Sequence, residues 1–130
     1  MREIKFRAWL KEDKKMVNVE TMNFTDKSIQ YLKKSEIINA YILKRESFDD
    51  VELMQYTGVK DKNGKEIYEG DIVILNDAEE ENRCIVKYKY GSYILVDGDL
   101  REDLSNVEDR FLEVVGNIYE NKNLLEENNW

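Results

Sequence analysis

The sequence predicts an all-β protein: a meander over the first third, then a small barrel or sandwich, then a short terminal helix. Two observations carry this. Short apolar runs recur with period two, and turns marked by Gly, Asn and Asp separate them at close, regular spacing. Proline is absent, so no strand edge is blocked by that route.

Over residues 3–9, "EIKFRAW", Ile4, Phe6 and Ala8 alternate with Lys5, Arg7 and Trp9, as in a half-buried strand. "LKEDKK" is the turn and "MVNVE" the return, extending through "TMNF" to Phe24. "TDKS" then turns the chain into "SIQYL". Between residues 33 and 55, Ile37, Ile38, Tyr41 and Ile42 suit a helical face, yet their β-branching and the short run suit a strand. The β character of both flanks tips the expectation to strand.

Beyond this the turn chemistry is explicit. "DKNG" fits a type I turn with Asp61 first and Gly64 left-handed, giving a three-residue hairpin with a G1 bulge. "KEIY" returns, "EG" turns, and "DIVIL" begins another strand. "NDAEEEN" is a charged loop before "RCIVKYKY", where alternation places Cys84, Val86, Tyr88 and Tyr90 inward and Lys87 and Lys89 outward. "FLEVVGNIY" is the closing strand, bent at Gly116, and "NKNLLEEN" the terminal helix, capped by Asn121.

Composition excludes much chemistry. With no histidine, Ser-His and Cys-His nucleophile pairs and His-ligated zinc are ruled out. The single Cys84 supports no intramolecular disulfide, zinc ribbon or iron–sulfur site. The common phosphate-cradling glycine loops are missing. No apolar run approaches the roughly 20 residues of a membrane span, and "MREIKFRAWL" lacks the apolar stretch of a signal peptide. A soluble protein of the cytoplasm, without cofactor or membrane partner, is the expectation.

The net charge of −8 is unevenly placed. Residues 1–46 hold 11 Lys and Arg against 7 Asp and Glu, while residues 47–130 hold 9 against 21. The acidic body disfavours general nucleic-acid binding, where phosphate neutralisation supplies most of the affinity. The asymmetry also permits a basic front half to meet the acidic back half of a neighbouring copy.

Motifs that invite metal do not survive their spacing. As a calcium loop starting at Asp61, the stretch puts Glu66 where glycine is required and Ile72 where the bidentate acid belongs. Shifting the frame makes Val59 the first ligand and Gly70 the last. The stretch is expected to be scaffold. "DGDLRED", Asp97 to Asp103, gathers four carboxylates without a known ligand spacing, and "EDK" at Glu12–Lys14 sits in a turn with only Glu3 upstream. No catalytic residue is expected. The candidate interaction surface is Lys5, Arg7 and Trp9, together with Lys87 and Lys89.

Three blocks, "REIKFRAW" at Arg2–Trp9, "LMQYTGVKDKNGKEIYEGDIV" at Leu53–Val73 and "VVGNIYEN" at Val114–Asn121, closely resemble the YopX family of phage and prophage proteins. The resemblance implies a pair of small all-β units, the second barrel-like, and an association with temperate phages. It implies no catalytic residues. With the strand pattern, it places a β-meander subdomain at 1–55 and an SH3-like barrel with its terminal helix at 56–130. The expected function is a non-enzymatic accessory protein of a phage, acting through protein–protein contacts in a bacterial cytoplasm. Self-association comes first and a host or phage protein second. The alternative is a nucleic-acid-binding or regulatory module, including an acidic decoy that mimics DNA.

Overall fold

The computed structural model describes residues 2–76 and 80–125, which hold twelve strands and four single 3-10 turns. The chain divides into two compact units: Ile4–Gln55, and Met1–Glu3 with Tyr56–Trp130.

In the N-terminal unit, β1 (Phe6–Leu10) pairs on one side with β2 (Lys15–Asn18) and on the other with the start of β6 (Val51–Lys60). A second sheet runs in the order β3 (Thr21–Asn23), β4 (Ser28–Lys34), β5 (Tyr41–Ser47). The expected single strand through Phe24 is therefore broken, and the break has a cause. Val19 N–H donates to Phe6, whereas Glu20 N–H donates to Gln30, so adjacent residues join different partners where the chain passes between sheets. Asn23 Oδ1 then accepts from the Thr25 and Asp26 amides, fixing the turn into β4. Ala8, Leu10, Ile29, Tyr31 and Val51 form the core of this unit.

Residues 33–50 resolve into three pieces: the end of β4 with a loop, then β5, then a 3-10 turn at Phe48–Asp50. The expected strand is present over Tyr41–Ser47. Ile37 and Ile38 lie in the loop, closed by Ser35 N–H to Ala40 O at 2.9 Å.

The C-terminal unit contains the rest of β6, β7 (Glu66–Tyr68) and a five-stranded antiparallel sheet that curls into a half-barrel. Its strands are β8 (Asp71–Asn76), β9 (Glu81–Lys89), β10 (Ser92–Asp97), β11 (Leu100–Asp103) and β12 (Leu112–Asn117), in the order β11-β10-β9-β8-β12. Ile67, Val73, Cys84, Val86, Leu95, Leu104 and Leu112 fill its core. Burying each large aliphatic among them contributes about 1.5–3 kcal/mol.

The hairpin at Asp61–Gly64 forms as its residues dictate: Gly64 N–H donates to Asp61 O, Lys65 O accepts from Asp61 N–H, and Gly64 sits at φ 80. β12 bends by a register shift between Val114 and Gly116. The terminal helix is, among the described residues, one 3-10 turn at Lys122–Leu124. Asn121 does not cap it; its Oδ1 accepts from Asn117 N–H at 3.1 Å instead. Residues 126–130 of the expected helix, and 77–79 of the expected acidic loop, lie outside the described residues.

Candidate interaction surface

Strand alternation decides which face a side chain takes, and strand pairing decides how much of that face is covered. Arg7 and Trp9 share one face of β1, opposite Ala8 and Leu10, with Lys5 just before the strand. Their cross-strand neighbours on that face include Met54, which is buried; Lys5, Arg7 and Trp9 are half-buried. Lys87 and Lys89 belong to β9 of the other unit. Three of the five candidate residues thus belong to the N-terminal unit and two to the C-terminal unit.

The β9 end corrects the expected inward tyrosines. Tyr88 is 54% exposed and Tyr90 100%, while Lys87 is half-buried. Cys84 and Val86 are buried on that face, Ile85 is buried on the opposite one, and past Val86 the cover runs out. β8 pairs with β9 only as far as Ile85; Gly70 N–H still reaches Val86 O, and beyond that β10 is, among the described residues, the one strand paired with β9. The tip is held by Tyr88 against Tyr93, ring centroids 5.0 Å apart and edge-on. Tyr90 and Gly91 both take positive φ, 54 and 81, as a type I′ turn requires. Tyr90 contributes no burial to offset that conformation. Tyr90→Asn is expected to stabilise the protein by about 0.5–1 kcal/mol, read as a raised urea midpoint at unchanged slope.

Sequence reasoning missed the largest exposed apolar group. Leu32, Ile37, Ile38, Tyr41, Ile42 and Leu43 are all exposed, Ile37 at 95%, and all belong to β4, β5 or the loop between them. The signal was present in "SEIINAYIL", where apolar residues fit neither period cleanly. A segment selected to cover a core keeps a period, and this one covers none within the unit.

The acidic motifs have structural occupations. Asp61 is buried and its carboxylate accepts three backbone N–H bonds, from Asn63, Lys65 and Val114, each at 2.9 Å. Burial alone would raise its pKa; those bonds, with the Lys65 charge, outweigh it and hold Asp61 below the ordinary carboxylate value. Asp103 caps the 3-10 turn at Leu104–Asn106, its Oδ1 accepting from Ser105 N and Oγ, and these bonds lower its pKa. Among the described residues, no three His, Cys, Asp or Glu side chains gather as a metal site. Cys84 is buried, and desolvation, with a smaller contribution from Asp97, pushes its thiol up to about 12, so it is no nucleophile at neutral pH. No described helix is long and apolar enough to cross a membrane.

Two of the blocks that carry the YopX resemblance, the second from Tyr56 onward and the third, meet in the C-terminal unit. Lys62 N–H donates to Leu112, Asp61 binds Val114, Ile118 N–H donates to Gly70, and Asp71 pairs with Asn117. Two solved structures share this architecture. Protein EF1440 from Enterococcus faecalis superposes with a TM-score of 0.67 at 29% identity, covering 97% of this chain and 100% of that one. Protein yopX from Bacillus subtilis gives 0.63 at 23% identity, with the same coverage, a likeness of fold alone. No curated protein matches the chain at a significant level. The family profile described as YopX protein matches residues 5–126, and the chain belongs to the YopX family.

Proposed function

We propose that the chain is a non-enzymatic accessory protein of a temperate phage, working in the bacterial cytoplasm through protein–protein contacts and assembling with copies of itself. The observation that carries this reading is the exposed apolar group on β4, β5 and their loop. Exposed apolar side chains gathered on one hairpin are a mark of an interaction site. The phage association is what the resemblance of the three sequence blocks implies. The charge asymmetry supports the self-assembling form, because opposite charge on two parts of one chain favours copy-to-copy contact.

Light scattering at low and high salt tests it. The expected result is more than one chain per particle at low salt, loosening as salt screens the charges. A monomer under both conditions would remove the self-assembly.

One observation favours the alternative, a single-stranded nucleic-acid module. Exposed Tyr88 and Tyr90 flank Lys89, and aromatic rings beside cations are how strands stack on small barrels. Fluorescence anisotropy with labelled single strands at low salt decides it, since such binding must weaken steeply as salt rises.

A further inference from the structure

β5 is an edge strand in an unusual condition. It is seven residues long, and among the described residues it pairs only with β4. Its phase follows from the bonds at either end of the hairpin. Phe48 N–H donates to Lys27 O, and Ser35 N–H to Ala40 O, both in the β4–β5 register. Bonded pairs alternate along an antiparallel ladder, so Tyr41, Leu43 and Arg45 turn their N–H and C=O groups away from β4, outward. A bare edge of this length normally carries a bulge, a proline or an inward charge. Here Lys44 and Arg45 charge the second half of the strand, while its first half carries exposed Tyr41, Ile42 and Leu43. The surrounding charge is on balance basic: Lys33, Lys34, Lys44 and Arg45 against Glu36 and Glu46, with Arg45 also 3.8 Å from the Asp26 carboxylate.

The other unit offers a complementary edge. β11 closes one side of the five-stranded sheet and, among the described residues, pairs only with β10. Leu100 on it is exposed, between Asp97 and Asp99 on one side and Glu102 and Asp103 on the other. The one cation of this strand is folded back, with Arg101 Nη1 donating to the Gly98 and Leu100 carbonyls. An apolar edge framed by cations on one unit thus has a counterpart framed by carboxylates on the other.

We infer that β5 of one copy docks edge to edge on β11 of a second copy, adding a strand to its sheet. Main-chain bonds supply affinity in such pairings, and flanking side chains supply selectivity. Pairing β5 with β5 of another copy would bring two basic hairpins together, and like charges directly opposite are destabilising. The β5–β11 contact is heterologous, so copies joined this way close into a ring or run on as a filament. The inference rests on the self-assembly reading above and names its surface.

Sedimentation velocity of the full chain at low salt, with two charge-reversed variants, tests it. Lys34→Glu/Lys44→Glu reverses the β5 side, and Asp99→Lys/Glu102→Lys reverses the β11 side; Asp103 is left alone because it caps a turn. Each variant alone is expected to sediment as a monomer. An equimolar mixture is expected to reassemble, because each reversed edge then meets its opposite, and reassembly also shows that both variants fold. A monomeric wild type overturns both the inference and the reading beneath it. Persistent assembly of either variant alone overturns the inference and leaves self-assembly standing through another face. Two monomers that fail to reassemble on mixing overturn the edge pairing.

Discussion

Asp61→Ala is expected to cost on the order of 3–4 kcal/mol, measured by urea unfolding. The buried carboxylate accepts from Asn63 and Lys65, which shape its own turn, and from Val114, 53 residues away on β12. Removing it strands three backbone donors, and an unpaired donor out of water costs about 1–3 kcal/mol. All three bonds are only partly buried, and that keeps the figure below the sum. The effect carries a pH signature. Because the folded-state pKa lies below the unfolded value, the ionised Asp61 contributes stability that is fully present above the unfolded carboxylate range. That contribution is lost as pH falls through the folded value. Asp61→Asn keeps the shape without the titration, so its stability should decline less below about pH 4 than that of the wild type. A cost under about 1 kcal/mol for the alanine variant would mean that water replaces the carboxylate, and the turn does not depend on it.

Gly116→Ala is expected to cost about 1–3 kcal/mol. A Cβ at this position would lie 2.5 Å from Asn121 Oδ1, 2.6 Å from its Cγ and 2.9 Å from its Cβ. Asn121 cannot simply swing aside, since its Oδ1 holds the Asn117 amide. Asn117 is itself buried, and its Oδ1 accepts from Tyr119 and Glu120 N–H, so displacement spreads into the whole turn. A double-mutant cycle separates this crowding from any backbone effect. In the background of Asn121→Gly, which removes the obstructing atoms, Gly116→Ala should cost much less, a coupling of at least about 1 kcal/mol. Additive costs would place the reason for the glycine elsewhere.

How far the sequence could be read depended on how local each cause was. The Asp61–Gly64 hairpin was legible because a type I turn with a left-handed glycine is decided within four residues. The rejection of a calcium loop there needed only spacing. That Asp61 reaches Val114 was not legible, because nothing in the turn records a strand 53 residues on. Alternation in β9 carries no information about where a neighbouring strand stops or where both faces are covered, which is why it puts Tyr88 and Tyr90 inside while Ile85 is buried on the other face. Asn121 sits where a cap belongs, but a bulge at Gly116 claims its side chain first. Of the interaction surface, Lys5, Arg7, Trp9, Lys87 and Lys89 follow from chemical type and strand alternation, neither of which records how much of a face its neighbours cover. The exposed group on β4 and β5 went unnoticed because apolar residues are ordinarily assigned to a core.

The clasp between the Asp61 turn and β12 also sets an order of events during synthesis. Until Leu112–Asn117 is available, β8 has β9 on one side and nothing on the other, and the Asp61 carboxylate lacks its Val114 donor. The strands from β7 to β11 can form hairpins with their neighbours as they emerge, but the half-barrel cannot close on them alone. Closure requires a loop of about 50 residues to be spanned, a non-local step that slows folding relative to the local hairpins. Until β12 is made, the C-terminal unit therefore keeps an open strand edge at β8, the kind of edge on which newly made chains find one another.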